Sequence, residues 1–190
     1  MTSAPCCHHA AAPVPATPPA GDFSLLDHRG HRVDAHAFGD RLLLVFFGFT
    51  HCRTVCPREL AKIGDALNLL GDGARQFQPL YISVDPERDT PAVLAAFLTR
   101  FHPGFVGLTG TPEEIEAVKR RFRVFARKAP DADDPQGYVV PHTAITYLAG
   151  PGGRYLAHFG DAIDAVEMAY RLRSQWDGHQ TALSKEVGHG

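Results

Sequence analysis

The stretch Leu42-Leu43-Leu44-Val45-Phe46-Phe47-Gly48-Phe49-Thr50-His51-Cys52-Arg53-Thr54-Val55-Cys56-Pro57 constrains this chain more than any other. It opens as an unbroken apolar run and stops at a glycine, the pattern of a strand buried on both faces in the parallel part of a sheet. Chemistry in such sheets gathers where strands end at their carboxyl edge, and two cysteines fall there. From Pro57 to Leu70 the apolar residues Leu60, Ile63, Leu67 and Leu70 recur at spacings of three and four, which predicts an amphipathic helix ended by Gly71. Pro57 suits its first turn, where a missing amide donor costs nothing. Cys56 is therefore expected at or just before the amino end of that helix, with Cys52 in the approach loop.

The rest of the chain reads as scaffold. Phe23, Leu25 and Val33 flank an Asp27-His28-Arg29-Gly30 turn, a small hairpin for the sheet's edge that leaves His28, His31 and His36 in turns or at the surface. Leu80 to Val84 predicts a second short strand. Thr90 caps and Pro91 starts a helix running to about Phe101. Phe105 to Leu108 predicts a third strand. Thr111-Pro112-Glu113-Glu114 opens a helix with acids in its first turn, where the helix dipole favours them, and Lys119, Arg120 and Arg121 are expected on its solvated face. Residues 129 to 137 read as a polar loop leading to Tyr138-Val139-Val140 and Pro141-His142. A strand from Ala144 to Leu148, a turn at Gly150-Pro151-Gly152-Gly153, a returning strand to Phe159 and a helix from Asp161 to about Trp176 complete the order. Strand and helix alternate and close with a hairpin and a helix, which predicts an α/β sandwich of thioredoxin type, a central mixed sheet flanked by helices with an N-terminal hairpin.

One domain with tails is expected: a flexible arm over 1–20, the domain over 21–176, and a tail over 177–190. The arm is rich in Ala, Pro and Thr and cannot bury enough surface to offset ordering. It contains Cys6-Cys7-His8-His9, adjacent soft ligands that could hold or relay a thiophilic metal. A net charge of -2 with no basic block gives no footprint for nucleic acid. The longest apolar run is under half a membrane span, and the amino end lacks a basic segment followed by an apolar core, so neither a transmembrane span nor a secretory leader is expected. The four cysteines fall in two pairs, Cys6 with Cys7 and Cys52 with Cys56. They are too few for a disulfide-built scaffold, and their pairing points to metal or redox chemistry.

Cys-x3-Cys across a strand-to-helix turn places two sulfurs within reach of one ion, or of each other. A helix amino end lowers the pKa of a nearby thiol. Two thiolates and an imidazole make a soft site of low coordination number that suits Cu(I), and an added oxygen or nitrogen ligand could hold Cu(II). His142 is the natural third ligand. His51 competes, although its neighbours suggest that it fixes the loop. Set beside these motifs, several further ones stand in order: Phe47-Gly48-Phe49-Thr50-His51-Cys52 with Val55-Cys56-Pro57, then Ser83 to Pro91, Gly107 to Thr111, His142-Thr143, and Ala157-His158-Phe159-Gly160. Over about residues 22 to 175 the chain resembles the Sco/SenC family.

The resemblance implies a thioredoxin-like fold that binds copper through Cys52, Cys56 and His142 and serves the maturation of the CuA centre of cytochrome c oxidase. It also implies a CuA-bearing subunit or another copper acceptor as partner, and a place in the periplasm or on the outer face of the inner membrane. Between the cysteines the family often has Pro-Asp, and here Arg53-Thr54 stand; the added cation should disfavour Cu(II) and stabilise thiolates. Before the histidine, where the family commonly has an acid, stands Pro141. The alternative function is a thiol-disulfide oxidoreductase or peroxidase-like protein in which Cys52 or Cys56 attacks and the other resolves. Pro141, similar to the proline that faces the redox cysteines of thioredoxin-like enzymes, favours that alternative.

Overall fold

The structure is a computed structural model that describes residues 22–132 and 134–187, with the backbone alone at 134–136 and 182–187. Residues 1–20, including Cys6-Cys7-His8-His9, lie outside the described residues. At the centre is the apolar run, strand β3, Leu42–Gly48, with every residue buried. Its pleat sends Leu42, Leu44 and Phe46 into one hydrophobic cluster and Leu43, Val45 and Phe47 into another on the opposite face. The predicted two-sided burial is therefore observed directly. Strand β4, Phe77–Ser83, pairs parallel with β3 from Leu42↔Phe77 to Gly48↔Ser83. Val106–Thr109, a third parallel strand, continues the sheet beyond β4.

The N-terminal hairpin, Ser24–Asp27 with Arg32–Asp34, adds antiparallel to that third strand. On the other side of β3, Ile145–Ala149 pairs antiparallel, and Tyr155–Gly160 pairs with it to make the far edge. The result is a seven-stranded mixed sheet covered on both faces, as the alternation of motifs predicts. One cover is helix α1, Val55–Leu70, with Pro91–Leu98 and the last helix; the other is Pro112–Phe122. Thr90 accepts from the Val93 amide, and Thr111 and Glu114 form a reciprocal cap, so both predicted helix starts are made by the expected side chains.

Four expectations need correction. Helix α1 begins at Val55 rather than at Pro57, so Cys56 lies in its first turn, at the amino end. Lys119 is buried rather than part of a solvated basic face. Its stem packs inward, and its ammonium meets Glu116 and the Ala126 carbonyl. The stretch read as a polar loop is a second hairpin, Ala129–Asp131 with Asp134–Val139. Its strands, Ala-Pro-Asp and Asp-Pro-Gln-Gly-Tyr-Val, carry no apolar alternation, so the sequence pattern gave no sign of it. The last helix runs over Ala165–Val187, which corrects the tail reading for 177–187. Met168 and Leu172 are buried and Trp176 packs 6.4 Å from Phe77, centroid to centroid. With the first turns so anchored, extending a helix into polar sequence costs little, because nucleation is already done.

Candidate functional site

The site grows out of the end of β3. The Cys52 amide donates to the Phe49 carbonyl at 3.1 Å, folding the chain back toward the mouth of α1. Thr54 precedes that helix but makes no side-chain cap. Instead the Cys56 amide donates to Cys52 Sγ at 3.4 Å, so a sulfur takes the capping role and feels the positive end of the helix. Cys52 is half-buried and Cys56 fully buried.

A hydrogen bond from Cys56 holds the Cys52 thiol down to about 3, helped by His142 and by the Cys56 and Thr54 amides and opposed by burial. The same bond, with burial and the charge on Cys52, pushes Cys56 far up. The pair thus shares one proton, and its negative charge sits on the more accessible sulfur.

His142 comes back across the fold to Cys56, with Nε2 3.4 Å from Sγ. The ring stands edge-on between Phe46 and Phe49, at 6.0 and 5.9 Å between centroids. Its Nδ1 lies 3.0 Å from the Thr143 carbonyl oxygen. A carbonyl can only accept, so Nδ1–H donates there and Nε2 is the nitrogen directed at the sulfur. The backbone here is strapped to the segment after the third helix. Thr143 N donates to Phe125 O at 2.9 Å, Arg127 N donates to Pro141 O at 3.2 Å, and Ala126 and His142 form an isolated bridge. Cys52, Cys56 and His142 are linked in a row. Among the described residues, no group of three or more His, Cys, Asp or Glu side chains already encloses a metal position. His51 is exposed, with Nδ1 3.2 Å from its neighbour Thr50 Oγ1, which agrees with a role in the loop.

A cavity of about 520 Å³ opens on this row, lined by Phe49, Cys52, Val139, Pro141, His142 and Ala144 among others. Two buried carboxylates, to which residue-by-residue reading assigned no role, hold its walls. Asp89 accepts from Thr50 Oγ1 at 2.6 Å, Thr50 N at 3.1 Å and Ser83 Oγ at 2.7 Å, tying the cysteine loop to β4; burial nevertheless raises its pKa. Asp85 accepts from Arg88 Nε at 2.5 Å and Tyr138 Oη at 2.9 Å, and the Arg88 guanidinium lies 3.7 Å over the Tyr138 ring. Their signal in the sequence is two acids four apart just after an apolar strand. Arg53, between the cysteines, reaches Asp131 at 3.0 Å on the second hairpin.

The family model described as SCO1/SenC matches residues 12–177. The human "Protein SCO1 homolog, mitochondrial" is 44% identical over 146 residues, covering 74% of this chain and 47% of its own length. A crystal structure of Arabidopsis thaliana ScoI with copper bound superposes with a TM-score of 0.79 at 34% identity, over 84% of this chain and 99% of that one. BsSco, described as a member of the Sco family of cytochrome c oxidase assembly proteins with a disulfide switch, superposes with a TM-score of 0.67 at 25% identity, over 85% of this chain and 95% of that one. Among the described residues, no helix is long and apolar enough to cross a membrane. On the matched sequence model, the shared motifs and the shared fold, the chain belongs to the SCO1/SenC family.

Proposed function

We propose that this chain is a copper chaperone: Cys52, Cys56 and His142 hold one copper ion, and an acceptor protein takes it by ligand exchange. The observation that carries the reading is the 3.4 Å approach of the His142 imidazole to Cys56, across 86 residues of chain. The donor set fits the cargo. Two sulfurs and one imidazole nitrogen are soft ligands suited to Cu(I), and the Cys56 hydrogen bond favours the thiolate form of Cys52. Cys52 completes the set from the loop before α1, where it lines the cavity.

The acceptor is the CuA-bearing subunit of cytochrome c oxidase or another copper-accepting protein. The copper-loaded Arabidopsis relative and the oxidase-assembly description of BsSco support this. The place of action is the periplasm or the outer face of the inner membrane, in keeping with a mitochondrial relative. Arg53 does not load the site with an unbalanced cation, because Asp131 faces it; its expected bias against Cu(II) is correspondingly weakened.

A second reading, thiol-disulfide exchange, is favoured by one observation: the more accessible Cys52 sulfur accepts from the Cys56 amide at the helix start, which lowers its pKa as an attacking thiol requires. His142 separates the two. A metal site needs its lone pair, whereas dithiol exchange does not. His142→Ala is expected to lower copper affinity by a large factor and to leave reactivity toward a disulfide nearly intact. Copper titration of the reduced protein beside Cys52→Ser, Cys56→Ser and His142→Ala measures this. Equal copper binding by wild type and a double cysteine variant would remove the first reading.

A further inference from the structure

Beneath Cys56, on β4, lies Tyr81. It is fully buried, and among the described residues no nitrogen or oxygen partners its hydroxyl, which lies beside the Cys56 sulfur instead. An orphaned buried hydroxyl carries a desolvation cost, so what surrounds it matters. On one side are the rings of Phe46 and Phe97, 6.3 and 5.5 Å away between centroids, which offer no strong acceptor. On the other is Cys56. A Cβ built on Gly48 would lie 2.7 Å from Cys56 Sγ and 2.7 Å from Tyr81 Oη, so both atoms crowd the same face of that glycine. Glycine at 48 lets hydroxyl and sulfur both approach this point, and a Cβ there would clash with each.

We propose that Tyr81 is a hydrogen-bond donor to the Cys56 sulfur in the metal-loaded protein, stabilising the buried thiolate. This rests on the copper reading above. When an ion binds, Cys56 releases its proton to solvent, and its sulfur changes from a weak neutral acceptor to a charged one. It is then buried among Phe46, Leu60 and Ile63, where a charge without a donor is costly. The Phe49 amide reaches this sulfur from the backbone, and the Tyr81 O–H is the side-chain donor placed to join it. A thiolate that accepts such a bond gives less electron density to its metal, so the hydroxyl also tunes the ion it does not touch.

Tyr81→Phe removes one oxygen and keeps the ring, so the fold is retained. The reduced protein without copper is expected to unfold in urea at a midpoint close to that of wild type, since a protonated sulfur is a weak acceptor for the deleted hydroxyl. Cu(I) affinity, measured by competition with a chromogenic chelator, is expected to fall about tenfold, the loss of one hydrogen bond to a charged group. The sulfur-to-Cu(II) charge-transfer band of the Cu(II)-loaded variant is expected to move to lower energy. Wild type that binds copper, beside a variant of equal affinity and an unmoved band, would overturn this proposal and leave the copper reading standing. Wild type that binds no copper would remove both. A lowered urea midpoint with an unmoved band would show a purely structural hydroxyl and would also overturn it.

Discussion

The two sulfurs and the imidazole are held by different kinds of structure. Cys56 is set in the first turn of α1, against the central strand, in a cluster of fully buried residues. His142 lies outside the regular strands, in a segment strapped to the fold by a few backbone bonds and by the second hairpin. Packing holds the first, and hydrogen bonds and one stacked arginine hold the second. The cysteine side should therefore behave as part of the core, with the cost of any change appearing as global stability. The histidine side should open locally, with the cost appearing as ligand affinity.

That contrast can be broken from either side. The largest effect is expected at Asp89, whose carboxylate ties the cysteine loop to β4. Asp89→Ala leaves the Thr50 amide and the Ser83 hydroxyl without their acceptor and should cost about 2–3 kcal/mol in urea unfolding. A loss well below this would show that the cysteine loop is not integrated with the core. The sign of the pH effect follows from burial. Asp89 is raised above its ordinary value, so the native state holds that proton more tightly than the unfolded chain does. Its contribution is greatest below about pH 4 and declines as pH rises from the unfolded toward the native pKa. Asp89→Asn should flatten that part of the stability profile.

Tyr138→Phe is expected to act on the other side. It deletes the bond to Asp85 while keeping the ring under Arg88. A global cost of about 1 kcal/mol or less is expected, with faster amide exchange over 125–143 and weaker copper binding. Unchanged exchange in that segment would mean that the hairpin does not hold His142. The smallest effect belongs to Arg53→Ala. Arg53 is more than half exposed, so its pair with Asp131 should be worth about 0–1 kcal/mol, and the loss should shrink further in high salt. A larger effect on copper affinity than on stability would place Arg53 with the strap rather than with the surface.

The legible part of the molecule was the part where side-chain pattern and packing coincide. Leu42 to Phe47 announced a doubly buried strand because all its residues are apolar, and Thr90-Pro91 and Thr111-Pro112 announced helix starts because their caps are local. Cys52 and Cys56 stood out by spacing alone. The hairpin at 129–139 did not show, because its strands form a separate two-stranded sheet and carry no apolar alternation. The end of the last helix did not show either, since from 177 onward no apolar stripe continues. Lys119 passed for a surface residue because its charge was visible in the sequence and its pocket, formed by Glu116 and the Ala126 carbonyl, was not.

The sequence by itself determined the layered α/β class, the central strand and the two sulfurs at its carboxyl edge, because each depends on residues close together in the chain. Tertiary structure alone decided that His142 presents Nε2 to Cys56, that Asp89 and Asp85 brace the two walls, and that the Tyr81 hydroxyl lies against the same glycine as the inner sulfur. Those are relations between residues dozens of positions apart. Only the folded sheet, with parallel strands delivering their ends to one edge, makes them neighbours.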